Sequence, residues 1–272
     1  KASDGDGVQL TRIIASPELD MLDPFLLLDV FGSDKPQDYI GGFPAHPHRG
    51  FETVTYMLAG EMRHQDSAGN SGVIEAGGVQ WMRAGKGIIH SEMPEQEEGL
   101  LAGFQLWVNL PASHKMVEPH YQEYGKDKIP VENRRESCQI SVIAGETQQG
   151  TRGIINNDLV DPIYWDIHLS AGTKFMDRIP ESHNALVYVI EGALTIADSE
   201  ASFMAEAPLI AKELAVLSLA DQIEITAQSD SRFLLVAGKP INEPVARGGP
   251  FVMNTEEEIT QAFADYKSGE LA

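Results

Sequence analysis

A chain of 272 residues with 42% hydrophobic content has material for one large or two ordinary folded domains. Its net charge of −21 excludes a phosphate-backbone binder, because no basic stripe is present to displace counterions, so nucleic acid is not expected as a direct partner and the acidity reads as a well-solvated surface. The single cysteine, Cys138, excludes an intrachain disulfide and any thiolate metal cluster, and fits a reducing, cytoplasmic location.

In chain order, the opening Lys1–Gly7 is polar and lacks an apolar h-region, and no stretch approaches the ~18 consecutive apolar residues of a spanning helix. Neither a signal peptide nor a membrane anchor is expected, and the chain reads as soluble. From Val8 to Ile225, short β-branched and aromatic runs are punctuated by Gly, Pro, Asn and Asp. They predict strands at Leu10–Ile14, Thr53–Leu58, Gly72–Glu75, Val79–Met82, Gly103–Val108, Gln139–Ala144, Tyr164–Leu169, Ala185–Ile190, Glu213–Leu219, Gln222–Ala227 and Arg232–Gly238. Spacing this regular points to an all-β barrel or sandwich. Cys138 falls in an alternating strand pattern and reads as a small core residue. Pro111–Glu136, rich in Pro, His and charge, is taken as the link between a domain at 1–130 and another at 131–272. Near the end, Asn254–Glu258 supplies a cap and first-turn acids before Ile259, Ala262, Phe263 and Tyr266 recur at helical spacing, predicting a helix over 255–267.

Sliding the chain on itself by 132 positions lays Val54, Tyr56, Leu58 and Gly60 over Leu186, Tyr188, Ile190 and Gly192, which suggests two copies of one barrel. The same offset sets His46 over Arg178, His48 over Pro180, His90 over Gln222 and Glu92 over Glu224. On this comparison only the first copy carries metal-ligating residues.

Those residues form two short pairs. His46 and His48 in Ala45-His46-Pro47-His48-Arg49-Gly50, and His90 and Glu92 in Ile89-His90-Ser91-Glu92, are each two apart, so each pair points to one side of an extended strand. Facing each other, the two strands would gather three imidazoles and a carboxylate, a donor set for a first-row divalent metal. An octahedral shell would keep two positions open for a bidentate substrate, or for a substrate oxygen with dioxygen or water. Pro47 cannot donate to a ladder and places its segment at a strand start or edge. By the same count Glu52 shares the face of His46 and His48 and competes with Glu92 for the fourth position. The glycines between Ala76 and Ile89 read as turns, since the strand-to-helix context of a phosphate loop is absent. Of the other histidines, only His64, placed in a hairpin beyond its strand, is a candidate to touch substrate or the metal's surroundings. His114 and His120 fall in the proposed link, and His168 and His183 in the second half.

Phe43-Pro44-Ala45-His46-Pro47-His48-Arg49-Gly50-Phe51-Glu52, then His64-Gln65-Asp66-Ser67, Gln80-Trp81-Met82, Ala84-Gly85-Lys86-Gly87-Ile88-Ile89-His90-Ser91-Glu92 and Gln105-Leu106-Trp107-Val108-Asn109-Leu110 closely resemble the pirin family of the cupin superfamily. The resemblance extends from Leu22-Asp23-Pro24-Phe25 to Gly249-Pro250-Phe251-Val252-Met253-Asn254-Thr255 and is least distinctive between about Asp198 and Asp230. It implies a bicupin, two antiparallel jelly-roll barrels in one chain, with metal in the first barrel held by His46, His48, His90 and Glu92. It thereby selects Glu92 over Glu52, leaving Glu52 to hydrogen-bond nearby. The metal it implies is divalent, iron(II) first, with nickel, copper, manganese, cobalt or zinc as substitutes.

The resemblance also implies a quercetin 2,3-dioxygenase activity, with a flavonol-like aromatic and dioxygen as substrates and Glu92 or Glu52 as general base. Phe43, Phe51, Tyr56, Trp81 and Trp107 are candidates to line a flat apolar pocket, most of them expected to be core. The alternative is a non-enzymatic regulator that senses redox state through the metal and binds a protein partner. A third reading is a metal-dependent isomerase or hydrolase that needs no dioxygen.

Overall fold

The structure, a computed structural model, describes residues 1–197 and 207–272, which are dominated by strands and turns with one α-helix at Glu256–Ser268. The start of the stretch least like the family, residues 198–206, lies outside the described residues. The chain forms two compact units, one of residues 1–127 with 241–272 and the other of residues 128–240. Each carries two antiparallel sheets of jelly-roll type, as the all-β expectation required, with the sheets separate rather than joined into a closed barrel, and the first unit adds a two-stranded sheet of Ala246–Gly248 and Phe251–Met253.

In the first unit a seven-stranded sheet runs in the order Ala2–Asp4, Val8–Ile14, Phe25–Ser33, Leu101–Asn109, Phe51–Ala59, Val79–Arg83 and His120–Tyr124. Phe51–Ala59, a β-branched and aromatic run buried from Phe51 to Met57, lies well inside this order. A four-stranded sheet orders Phe43–His48, Ile88–Pro94, Met62–Asp66 and Ser71–Ile74. Met62–Asp66 alternates, with Met62, His64 and Asp66 buried while Arg63 and Gln65 face solvent.

The second unit repeats the plan. Its six-stranded sheet sets Asn184–Glu191 between Ser231–Gly238 and Leu214–Val216, the place that Phe51–Ala59 holds in the first unit. Gly60 and Gly192, which end these two strands, have φ of 77° and 83°, a left-handed turn that suits glycine in both copies. The repeat seen in the sequence is therefore structural, but its gap-free alignment fails in the smaller sheet. In the first unit His46 pairs with His90 and His64 with Glu92. In the second, Asp177 pairs with Ile223 and Ile196 with Ile225. His64 overlies Ile196 at the expected offset, but the neighbouring strand has slipped one residue. Since such a slip reverses the face a strand presents, Glu92 and His90 correspond to Ile225 and Ile223, not Glu224 and Gln222. His46 and His48 likewise correspond to Asp177 and Ile179, not Arg178 and Pro180. Ile179, Ile223 and Ile225 belong to the second unit's apolar core, and Asp177 is ion-paired to Arg134. Cys138 sits in that core, where burial pushes its thiol up to about 11.

The domain limits expected from the sequence also need correction, because residues 241–272 return to the first unit. A parallel bridge joins Arg49 to Phe251, and the Val252 amide donates to the Arg49 carbonyl at 3.0 Å. The Arg49 guanidinium donates to Asp265 at 2.6 Å and to the Lys86 carbonyl. The C-terminal helix is capped as expected, by a box between Thr255 and Glu258. Its buried side is Ile259 and Ala262, while Phe263 and Tyr266 stay part-exposed beside Phe251. Gly50, at the corner between the histidine strand and the larger sheet, has a φ of 88°, and a Cβ there would lie 1.9 Å from the Val252 carbonyl. Nothing larger than glycine fits that corner.

Lys115, buried at 1% exposure, closes the arrangement by donating to the carbonyls of Gly50 at 2.8 Å and Val252 at 3.0 Å and to Asn109 Oδ1 at 2.7 Å. Lys115→Met should lower stability at pH 7 by about 2 kcal/mol, read from urea midpoints, because it abandons three buried acceptors. Burial pulls the Lys115 ammonium down to about 8 from 10.5, so between those values the unfolded chain holds more protons than the folded one. The wild type should therefore gain stability relative to the Met variant as pH rises through that window.

Candidate metal centre

The antiparallel register sets His46 directly opposite His90, and His48 follows two residues along the same strand. Their ligand nitrogens all lie within 4.8 Å of one another. The sequence expectation that the two short pairs face each other is met for the three imidazoles.

Neighbouring carbonyls fix the tautomers. His46 Nδ1 lies 2.8 Å from the Pro44 carbonyl and His48 Nδ1 3.4 Å from that of Pro250. A carbonyl only accepts, so Nδ1 carries a proton on each ring, and Nε2 is the nitrogen left to bind a metal. These Nε2 atoms stand 2.9 Å apart. Two lone pairs that close repel unless a cation lies against both, and nitrogens bound at ~2.1 Å and at right angles to one ion would be about 3 Å apart. The third imidazole points the same way, since both ring nitrogens of His90 are buried without a hydrogen-bond partner among the described residues. Burial, reinforced by the neighbouring imidazoles, holds His48 and His90 well below the ordinary histidine value, so both rings are neutral at neutral pH as metal ligands must be. The donor set therefore fits a divalent transition metal.

Glu92 follows His90 on the same buried face, and its Oε1 lies 2.8 Å from the Thr55 hydroxyl. Thr55 in turn lies 2.7 Å from Gln105 Oε1. The convergent group is made of the three histidines, with the Glu92 carboxylate turned toward Thr55. Burial raises the Glu92 carboxyl above its ordinary value, against the lowering effect of His46 and Thr55.

Glu52 does not enter the cavity, which corrects the expectation that it could act as ligand or base. Both its oxygens are engaged, Oε2 by Trp81 Nε1 at 2.7 Å and Oε1 by Arg83 Nε at 2.7 Å. The count from His48 to Glu52 failed because the chain turns at Gly50 and enters the other sheet. His64 lies, as expected, in a hairpin beyond the strand, formed by Met62–Asp66 and Ser71–Ile74. It lies within Met62–Asp66, pairs across to Glu92, stacks on Tyr121 and reaches Glu123 Oε2 at 2.6 Å.

Two of the three histidines, His46 and His48, line a cavity of about 850 Å3 together with Glu92, Thr55, Gln105 and Trp107, with Leu26, Leu27 and Phe43 among its apolar walls. Of the aromatics singled out, Phe43 and Trp107 line it, whereas Phe51, Tyr56 and Trp81 are core.

Two family models match the chain, Pirin over residues 7–108 and Pirin C-terminal cupin domain over residues 164–272. A pirin-like protein of Caulobacter vibrioides is 51% identical over 98% of this chain and 94% of its own length. The chain belongs to the pirin family. Human pirin is 42% identical over 98% of this chain and 89% of its own. A crystal structure of quercetin 2,3-dioxygenase from Acinetobacter baumannii superposes with a TM-score of 0.88 at 37% identity, covering 98% of this chain and 93% of that one. In this pirin-family chain no helix of the described residues is long and apolar enough to cross a membrane.

Protein purified without chelator should carry one divalent metal per chain, and His90→Ala should lose it. Glu52→Gln should retain its metal while unfolding at lower urea. Elemental analysis beside denaturation curves checks both outcomes, and loss of metal from Glu52→Gln would contradict the placement of Glu52.

Proposed function

We propose that this pirin-family chain is a dioxygenase that opens the central ring of a quercetin-type flavonol. The observation that carries the reading is the union of a convergent three-histidine cluster with a large, mostly apolar cavity on the same unit. The likeness to quercetin 2,3-dioxygenase of Acinetobacter baumannii supports it.

A divalent metal, iron(II) in our reading, would be held by His46, His48 and His90, with Glu92 completing the set if its carboxylate turns away from Thr55. When bound it would supply the Lewis-acid and redox chemistry that favours a flavonol enolate and its reaction with dioxygen. The remaining roles belong to the chain. Glu92 accepts the proton of the enol hydroxyl at a carboxylate oxygen, and its raised pKa makes it a better base than an exposed carboxylate. Thr55 orients that carboxylate, and Gln105 sits beside Thr55. Leu26, Leu27 and Trp107 take the flat rings and exclude water from the reacting end.

Metal-loaded protein should consume dioxygen when given quercetin, and His46→Ala or His90→Ala should lower the rate at least a hundredfold. Turnover should cease without dioxygen. Anaerobic turnover would favour an isomerase or hydrolase, and metal-loaded protein that consumes no dioxygen with quercetin would overturn the proposal.

A further inference from the structure

Five neighbouring strand pairings place a line of polar residues across the larger sheet of the first unit. Arg12 is opposite Asp29, Asp29 opposite Gln105, Gln105 opposite Thr55, Thr55 opposite Gln80 and Gln80 opposite Glu123. Residues directly opposite on neighbouring strands share a face, so all six side chains leave the same side of the sheet. Thr55 is the member that touches Glu92. From Thr55 the line runs one way through Gln105 to Asp29 and Arg12, and these four residues line the same cavity as His46, His48 and Glu92. With strands ~4.8 Å apart, Asp29 stands about 10 Å from Thr55 and Arg12 about 14 Å, the reach of a three-ring aromatic.

The far end of this line is built for hydrogen bonding. Asp29 is 4% exposed, and Arg12 grips both its oxygens, Nε to Oδ1 at 2.9 Å and Nη2 to Oδ2 at 2.7 Å. Arg12 Nη2 also reaches Asp4 Oδ2 at 2.7 Å, and Asp4 lines the same cavity. Arg12 Nη1 makes no hydrogen bond among the described residues, which leaves a free donor beside carboxylate acceptors at one place. A second guanidinium, Arg247, lines the cavity as well, held only by 3.4 Å contacts to the Asp20 carbonyl among the described residues. An apolar ring would bury Arg12 Nη1 and the weakly held Arg247 guanidinium without good partners, which costs free energy. A carboxylated ligand would meet Asp4, Asp6 and Asp29 together. A hydroxyl can donate to a carboxylate and accept from a guanidinium at once, and so suits this mixture of charges.

We propose that Arg12 and Asp29 form a subsite that reads the ring hydroxyls of the substrate at the end remote from the metal-binding enol. This inference rests on the flavonol reading and adds a specificity determinant to it. The subsite selects polyhydroxylated flavonols over those that carry only the enol hydroxyl.

Binding to metal-loaded protein is measured without dioxygen, so that nothing turns over, using quercetin and 3-hydroxyflavone, which shares the enol but lacks the other hydroxyls. Wild type should bind quercetin about tenfold more tightly, the effect of one well-made hydrogen bond near 1.4 kcal/mol. Arg12→Met/Asp29→Leu removes both charges together and so avoids stranding a buried carboxylate. It should hold 3-hydroxyflavone as the wild type does and lose the preference. Arg12→Lys keeps a charge opposite Asp29 and covers the case in which the double variant does not fold, with an expected loss of at least threefold in the preference. A preference that survives in both folded variants, or in Arg12→Lys when that variant alone folds, overturns the subsite and leaves the flavonol reading intact. Equal binding of the two probes to wild type does the same. Failure of wild type to bind either probe overturns the flavonol reading itself, and the subsite with it.

Discussion

The antiparallel register that puts His46 opposite His90 is the constraint on which the site depends. Side chains two apart share a face, so once this pair is set, His48 and Glu92 must point to the same side, and His64 joins them from the next strand. A slip of one residue would turn the whole group outward. The second unit shows that condition realised by substitution as well as by register, since its counterparts of His48, His90 and Glu92 are isoleucines that fill the core. One copy of the fold stabilises itself through its inward face. The other gives up that apolar packing and holds four imidazoles, His46, His48, His64 and His90, and two carboxylic acids, Glu92 and Asp66, on the corresponding strands.

Burying those groups is costly, and the surrounding chain offsets the cost by holding their partners still. His46 and His48 each have a carbonyl on Nδ1, Glu92 has Thr55, and the corner after His48 is pinned by Lys115 to the C-terminal segment. The return of residues 241–272 to the first unit is thus part of the metal centre's construction. Pro250 carries the carbonyl that orients His48, and Val252 takes hydrogen bonds to Arg49 and Lys115. A truncation at the expected domain limit would remove these supports while leaving every expected metal ligand in place.

What could be read from the sequence was local. The same-side spacing of His46 with His48, and of His90 with Glu92, follows from strand geometry alone. The capping box at Thr255 and Glu258 is equally local and was equally legible. What failed was each inference carried past a corner or between copies. Glu52 leaves the histidine face because the chain turns at Gly50, a corner that strand spacing alone does not reveal. The alignment of the halves lost one residue between adjacent strands. The domain limit at 131 rested on a composition change near 111–136 that does mark the first crossing, near 127, whereas the return at 241 carries only Pro240 and Pro244 as signals. Arg12 and Asp29 carry no local signal, because their meaning lies in a pairing between residues 17 apart on neighbouring strands.

That pairing joins the two ends of the site. Thr55 belongs both to the polar line across the large sheet and to the contact with Glu92, so the sheet that forms the cavity wall also orients the candidate base. Asp29, Gln105 and Thr55 are held at fixed strand spacings, which leaves a bound ring little freedom to slide along the wall. Arg12 and Asp29, locked to each other and held by their own strands, present donors and acceptors already oriented before a ligand arrives. On this geometry a ligand gripped at the far end has its position at the metal end set by the register of four strands. Selectivity and positioning then have one physical source, and a change at Arg12 should be felt at Glu92 through placement of the ligand, without any movement of the protein between them.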